Sequence, residues 1–306
     1  MNKRTFARFR AAWLGTLSLG FTLCAIPLHA DTSGSVTVTA PREMEHLRQE
    51  VDTFVSSAIT RPYSGESLLR WDHAMCPLVA GMNHEAGEFV LLRLSQIARA
   101  AHAPLGSETC KPNLFVIVAN NPERFLRLWW RHNPRLFNTR EGVAPVKRFI
   151  ENSRPVRVWY NARVTGGDNG VVLGDLLAIS TDPGGALVDY PVFTGPSTLG
   201  SRITYTVVRS ISSAIVIVDP AQVSKLNIGQ LVDYVGLVGL AEINLDKDLG
   251  EAPSILKVFA ASETSPPVEM TAWDRAMLQA LYTTPQRSKV QLSQMETATL
   301  KLIAAR

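Results

Sequence analysis

The sequence predicts an α+β fold, a single domain in which a mixed or antiparallel sheet is packed by helices. Three observations predict it. Apolar residues recur at helical spacing from residue 42 to 60. Residues 171–218 are rich in Val, Ile and Thr, which favours strands, and helical patterns return beyond residue 219. We expect the α+β domain to cover residues 42–285 and a last helix to lie within residues 286–306.

Capping and breaking residues locate the elements in order. Asn83 and Asn121 are predicted N-caps, Pro122 is typical of a first helical turn, and Thr271 to Asp274 resembles a capping box. Helices are predicted over residues 42–60, 84–102, 122–131, 144–152, 228–243, 271–282 and 289–305. Strands are predicted over residues 67–72, 113–119 and 156–160, with two or three antiparallel strands within 171–218.

Two apolar segments indicate where the core lies. Residues 113–119 form a continuous apolar run, the pattern of a strand buried on both faces. Residues 228–243 are apolar nearly all round, with Gly236 and Gly239 allowing close contact, which predicts a central buried helix. Asp233 is the chief polar residue of this helix. We therefore consider it the candidate polar group of a pocket, against the alternative of a satisfied or surface-facing aspartate.

Residues 1–30 have the layout of a secretory signal peptide. Four basic residues lie within the first ten, residues 11–28 are mostly apolar, and Ala30 precedes a polar stretch. We expect cleavage after Ala30, a flexible start over residues 31–41, and a periplasmic or secreted protein. The alternative is an uncleaved signal that anchors the protein in the inner membrane, since about 18 apolar residues approach spanning length. No later stretch reaches that length, so no transmembrane helix is expected in the mature chain.

Export also determines how the cysteines are interpreted. Cleavage would leave Cys76 and Cys110, and an even pair in an oxidising compartment predicts a disulfide. A buried thiol pair or a metal site is the alternative. Two cysteines without a close histidine cannot fill the four-ligand shell of zinc.

The overall charge gives no reason to expect a nucleic-acid partner. Lys and Arg number 31, but four of them lie in the expected signal peptide, and the remaining 27 equal the 27 acidic residues. The positive net charge of the whole chain therefore belongs to the segment that export removes.

Charge is nevertheless unevenly distributed along the chain. Residues 124–163 contain ten basic and two acidic residues with interleaved aromatics, whereas residues 219–274 contain nine acidic and three basic residues. Such a basic, aromatic face would hold an anionic glycan or lipid by charge and stacking. Alternatively, the two segments face each other, or the aromatics are core and the arginines solvated. The candidate ligand-binding residues are Arg124, Arg127, Trp130, Arg131 and Arg135.

Known catalytic motifs are missing or incomplete. Gly195 to Gly200 departs by one residue from the serine-hydrolase elbow, and no glycine-rich loop carries the lysine of a phosphate-binding loop. No cofactor is predicted. A metal-dependent hydrolase would have only scattered ligands, none of them a histidine pair at ligand spacing on one helix. These ligands are His73, His84, His102 and the acids near Asp246.

Four short segments together resemble a group of uncharacterised exported proteins of Gram-negative bacteria. The segments are Cys76–Gly81, Cys110–Asn113, Asp233–Val235, and Trp273–Arg275 with Ala280–Tyr282. That group has no assigned activity, so the resemblance implies an exported location and no reaction. The buried helix is more weakly similar to the active-site helix of metzincin-like zinc peptidases, but it carries no histidine. That similarity implies at most a zinc-free relative of their fold.

These observations lead to one expected function and two alternatives. We expect an exported, disulfide-bonded binding protein that does not catalyse a reaction. The first alternative is a metal-dependent, metallopeptidase-like hydrolase with a non-standard site. The second is an envelope-binding module that recognises an anionic glycan or lipid through residues 124–163.

Overall fold

The computed structural model describes eight stretches of the chain, which are residues 39–62, 66–137, 142–166, 171–172, 177–181, 187–191, 207–260 and 265–305. The chain divides into a unit of residues 1–40, of which only the start of one helix is described, and a unit of residues 41–306. The expected signal peptide and nearly all of the expected flexible start lie outside the described residues.

Helices and strands are both well represented among the described residues. The helices are α1 (Thr39–Ala58), α2 (His84–Ala100), α3 (Pro122–His132), α4 (Val143–Glu151), α5 (Ile228–Leu240), α6 (Ala272–Thr283) and α7 (Gln291–Ala304). The strands are β1 (Pro77–Ala80), β2 (Leu114–Val118), β3 (Val156–Gly166), β4 (Val171–Val172), β5 (Leu177–Thr181), β6 (Leu187–Pro191) and β7 (Val207–Val218). Short 3-10 helices cover Pro134–Leu136 and Ile255–Phe259.

Five strands form a mixed sheet in the order β1-β2-β7-β3-β4. β1, β2 and β7 run parallel, whereas β3 is antiparallel to β7 and to β4. The parallel β1–β2 connection is made through α2, as parallel neighbours require. β5 and β6 pair separately as an antiparallel ladder. The predicted α+β class with a mixed sheet is therefore confirmed.

Helices bury both faces of the sheet. Alternate residues of a strand point to opposite faces, so neighbouring residues of one strand contact different helices. On β7, Ala214 and Val216 belong to one apolar cluster and Ile215 and Ile217 to another. The first cluster also contains buried residues of α1, α2, α5, α6 and α7, and the second contains residues of α3 and α4. The predicted burial of residues 113–119 on both faces follows from this arrangement, since Val116 and Phe115 of β2 face opposite clusters.

The predicted central helix is α5, and its glycines allow close packing. Ten of its thirteen residues are buried. A Cβ at Gly236 would lie 2.6 Å from the Cδ1 atom of Ile97, and one at Gly239 would lie 3.4 Å from Leu114. A Cβ at Gly236 would therefore clash with α2, whereas a Cβ at Gly239 would make ordinary van der Waals contact with Leu114 of β2.

The strand predicted over residues 67–72 is wrong. Arg70 forms only isolated bridges, one to Ser210 and one to Ala241. The backbone N–H of Leu68 instead donates to the side chain of Gln291, at 3.0 Å. This segment is extended, but its backbone groups bind partners on several elements in turn, so no continuous ladder forms.

Candidate functional site

The basic segment contains a well-formed helix, α3, and local signals explain where it begins. The Asn121 side chain accepts a hydrogen bond from the Arg124 N–H at 2.9 Å, and Pro122 occupies the first turn. Leu126 is fully buried in the second cluster, with Phe125 and Trp129 packed beside it. This inner face fixes the helix on the sheet and determines which side chains face outward.

The outer face of α3 carries the predicted arginines. Arg124, Arg127 and Arg131 are exposed at spacings of three and four residues, which places them on one side of the helix. Leu128 lies among them with 45% of its surface exposed. Arg135, in the following 3-10 helix, is also exposed. We call Arg124, Leu128, Arg131 and Arg135 the arginine face.

Charge on this side of α3 is only partly neutralised. Arg127 is paired with Glu123 at 2.8 Å and Glu151 at 3.3 Å, and the hydrogen bond that it donates to Glu123 raises the pKa of Arg127. Arg124, Arg131 and Arg135 form no ion pair with any described residue. The arginine face therefore presents three positive charges, and Arg127 belongs to an internal network instead.

The aromatic residues of the segment support the helix and are not arranged for stacking on a ligand. Trp129, Phe137, Phe149 and Trp159 contact one another in edge and tilted geometries, with ring centroids 5.6 to 6.2 Å apart. Trp130, a predicted ligand residue, is half-buried against the same cluster. Recognition by this face would thus rest on charge and not on aromatic stacking.

Among the described residues, an ion pair joins the end of the basic segment to the acidic segment. Arg154 forms an ion pair with Asp246, and the charge of Asp219 acts on Arg157. The arginine face takes no part in these contacts. The alternative in which the two segments face each other therefore holds at Arg154 and Arg157 and not at α3.

Asp233 is a satisfied buried carboxylate. It is fully buried on α5, and Arg93 of α2 donates to both of its oxygens, at 2.7 and 2.9 Å. The Met270 N–H donates a third hydrogen bond at 2.6 Å. Arg93 and Arg275 line a cleft of about 210 Å³, whereas Asp233 lies behind Arg93 and does not line it. Asp233 thus orients Arg93, a residue that no pattern in the sequence singles out.

A larger cavity, of about 560 Å³, lies beside Asp72 and Arg163. Asp72 accepts hydrogen bonds from Arg163 at 3.0 Å and from the His73 ring at 2.7 Å. Burial alone would raise the pKa of Asp72, but the His73 hydrogen bond and the Arg163 charge outweigh it, so the pKa is lowered. Asp72 is therefore an ionised partner of the Arg163 guanidinium group and of the His73 ring.

The scattered residues considered for a metal site do not converge. His84 is exposed and lies 3.7 Å from Glu88, His73 is bonded to Asp72, and Asp246 is paired with Arg154. Within the described stretches, no three His, Cys, Asp or Glu residues lie close enough to hold a metal ion.

The predicted disulfide is confirmed. Cys76 and Cys110 are joined, with their Cα atoms 6.0 Å apart, at the base of the crossover from β1 to β2. The Asn113 side chain reinforces this corner by accepting from the Cys76 N–H at 2.7 Å and donating to the Ala74 carbonyl at 2.9 Å. A Cβ at Gly106 would lie within 2.6 Å of both sulfur atoms, so the bridge packs directly on that glycine.

None of the described helices is both long enough and apolar enough to span a bilayer. Comparison of the chain with protein-family models, with curated proteins and with solved structures gives no significant match. The resemblances to exported proteins and to a zinc-free metzincin-like fold therefore stay predictions. Any functional conclusion has to come from the geometry of this chain.

Proposed function

We propose that this is an exported, non-catalytic binding protein that docks on an anionic lipid surface of the cell envelope through the arginine face. One observation carries the proposal. Three exposed guanidinium groups without carboxylate partners among the described residues surround an exposed leucine, on a helix whose opposite side is fixed in the core.

The chemistry of the face fits the surface of a membrane. Each basic residue held close to an anionic leaflet contributes about 1 kcal/mol, so three contribute about 3 kcal/mol at low salt. Leu128 supplies an apolar contact between the charges, which a lipid interface accepts and a hydrated glycan does not. Exposed Lys147 and Arg148 on α4 add further positive charge. The face offers charge and one apolar side chain, and these support binding and not catalysis.

Two features support the exported location. Residues 1–30 have the layout of a cleavable signal, and the disulfide is of a kind that persists in oxidising compartments. A periplasmic or secreted protein would also meet envelope lipids directly.

Co-sedimentation with vesicles tests this function. The protein is mixed with phosphatidylcholine vesicles that contain or lack phosphatidylglycerol. We expect binding only to the anionic vesicles, with weakening as salt rises, because exposed charges are screened. Replacing Arg124, Arg131 and Arg135 with Ser should weaken binding by about 100-fold, as expected for about 3 kcal/mol.

A charge-matched control separates the face from net charge. Arg42, Arg99 and Lys301 are exposed basic residues on other elements, and their triple Ser variant should keep its affinity. Equal losses in both triple variants would contradict the proposal. Binding to heparin without binding to anionic vesicles would overturn the lipid assignment in favour of a glycan.

A further inference from the structure

A third cavity, which shares no residue with the arginine face, lies between the loop that follows α5 and the start of β3. Its volume is about 360 Å³, which is within the usual range of small-ligand sites. The loop of residues 244–250, the 3-10 helix Ile255–Phe259 and residues 154–156 form its walls, and Tyr234 of α5 contributes to its lining. We call it the Tyr234 pocket.

The hydroxyl group of Tyr234 has no hydrogen-bond partner among the described residues. The residue is only 4% exposed, and its ring meets Phe259 edge-on with centroids 5.0 Å apart. No described residue forms a hydrogen bond with the hydroxyl. Burial raises the pKa of Tyr234, so the group is a neutral donor at physiological pH.

Two half-buried tyrosines packed on the same core differ, because their hydroxyl groups bond to backbone carbonyl groups. Tyr160 donates to the Val238 carbonyl at 2.6 Å, and Tyr282 donates to the Leu240 carbonyl at 2.6 Å. The Tyr234 hydroxyl is not fully buried, since its oxygen is reached from the pocket that it lines. Its hydrogen bond is therefore available to a molecule that occupies the pocket.

The pocket also contains more positive than negative charge. Arg154, Lys247 and Lys257 line it, against one lining acid, Asp248. Lys257 donates to the Gly250 carbonyl at 2.5 Å, which holds its ammonium group in place without neutralising it. Arg154 is shared with Asp246, a residue with 86% of its side chain exposed, and its charge still acts on the Tyr234 hydroxyl.

Apolar side chains complete the lining. Leu245, Leu249, Leu256 and Phe259 surround the polar groups. A ligand with a charged head and a small apolar body would satisfy both parts of the pocket, whereas an inorganic ion would leave the apolar walls without contact.

We propose that the Tyr234 pocket binds a small organic anion, whose carboxylate or phosphate oxygen accepts a hydrogen bond from the Tyr234 hydroxyl beside Arg154 and Lys257. This site is independent of the arginine face and does not depend on the lipid-binding function.

Titration calorimetry on the full protein tests the proposal with three probes, which are benzoate, phenyl phosphate and inorganic phosphate. Benzamide serves as the neutral control. We expect millimolar or tighter binding of benzoate, phenyl phosphate or both, with weaker binding of inorganic phosphate and benzamide. A preference for benzoate would identify a carboxylate ligand, and a preference for phenyl phosphate an organic phosphate. Failure of both aromatic anions to bind would overturn the proposal.

Two tyrosine variants provide the decisive comparison. Tyr234→Phe removes only the hydroxyl and should weaken anion binding at least about ten-fold, with an unchanged or higher Tm, since no protein hydrogen bond is lost. Tyr282→Phe removes a hydroxyl that is bonded to the backbone, so it should lower the Tm and leave anion binding intact. A Tyr234→Phe variant that binds the anion normally, or loses as much Tm as Tyr282→Phe, would contradict the proposal.

Discussion

Gly81 shows how a single residue fixes the edge of the sheet. It follows β1 with a φ of +85°, in the left-handed region that favours glycine. A Cβ at this position would lie 2.0 Å from the Val118 carbonyl oxygen at the end of β2. Only a residue without a side chain can therefore occupy position 81, where the chain leaves β1 toward α2.

Replacing Gly81 with Ala should destabilise the protein by more than about 3 kcal/mol, because backbone strain and a backbone clash add together. Urea unfolding followed by tryptophan fluorescence measures the loss.

Two other glycines serve as controls. Gly142 has a φ of +86°, but no atom of the described residues lies within 4 Å of its Cβ position, so Gly142→Ala should cost only the strain, about 1–3 kcal/mol. The Cβ position of Gly87, in α2, is likewise clear of the described residues, and Gly87→Ala should stabilise by about 0.5–1 kcal/mol. If Gly81→Ala unfolds at the same urea concentration as Gly142→Ala, the clash with Val118 contributes nothing.

Capping residues could be predicted because their partners lie within three positions in sequence. The caps at Asn83 and Asn121 and the capping box of Thr271 with Asp274 are all present. The remaining contacts of Asp274, with the Ser254 hydroxyl at 2.5 Å and the Ile255 N–H at 2.9 Å, span about twenty residues. No local pattern indicates such contacts. For the same reason the sequence did not reveal the unpaired hydroxyl of Tyr234.

At the scale of elements, one ion pair joins two helices that are far apart in sequence. Arg93 and Asp233 are separated by 140 positions, and their bidentate contact links α2 to α5 and, through the Met270 N–H, to the segment before α6. The carboxylate is fully buried, whereas 32% of the arginine side chain is exposed. The sequence identified Asp233 as unusual, but only the packing of α2 on α5 identifies its partner.

Arg93→Leu should destabilise the protein by about 3–5 kcal/mol, because it leaves a buried carboxylate without its cation. Adding Asp233→Asn to that variant should recover at least about 1 kcal/mol, since the amide removes the charge and still accepts from the Met270 N–H. Chemical unfolding of both single variants and the double variant measures this coupling.

Arg99→Leu is the matched control, because Arg99 lies on the same helix, is exposed and forms no ion pair with a described residue. Its cost should stay within about 0.5 kcal/mol. Additive losses in the double variant would show that the Arg93–Asp233 contact carries no coupling.

At the scale of the whole described unit, distant parts of the chain share one core. Val51 of α1 and Met295 of α7 belong to the same buried cluster, together with residues of the sheet and of α5. The sequence predicted the helical character of both ends, since each has clear periodicity. It predicted burial of residues 113–119 on both faces of the sheet, but it left open whether α3 and α4 cover the second face, because their basic residues could also form a ligand-binding surface.

The disulfide is the one covalent constraint on this unit among the described residues, and its contribution can be isolated. It closes a loop with a sequence separation of 34, which in the chain-entropy description stabilises the fold by roughly 3–4 kcal/mol. The variant with both Cys76→Ala and Cys110→Ala should therefore keep the circular dichroism spectrum of the folded protein and unfold at lower urea. Wild-type protein treated with reductant should shift toward the same midpoint, whereas the variant should not respond to reductant. A variant as stable as the oxidised wild type would mean that the Asn113 hydrogen bonds and the packing on Gly106 already hold this corner without the bridge.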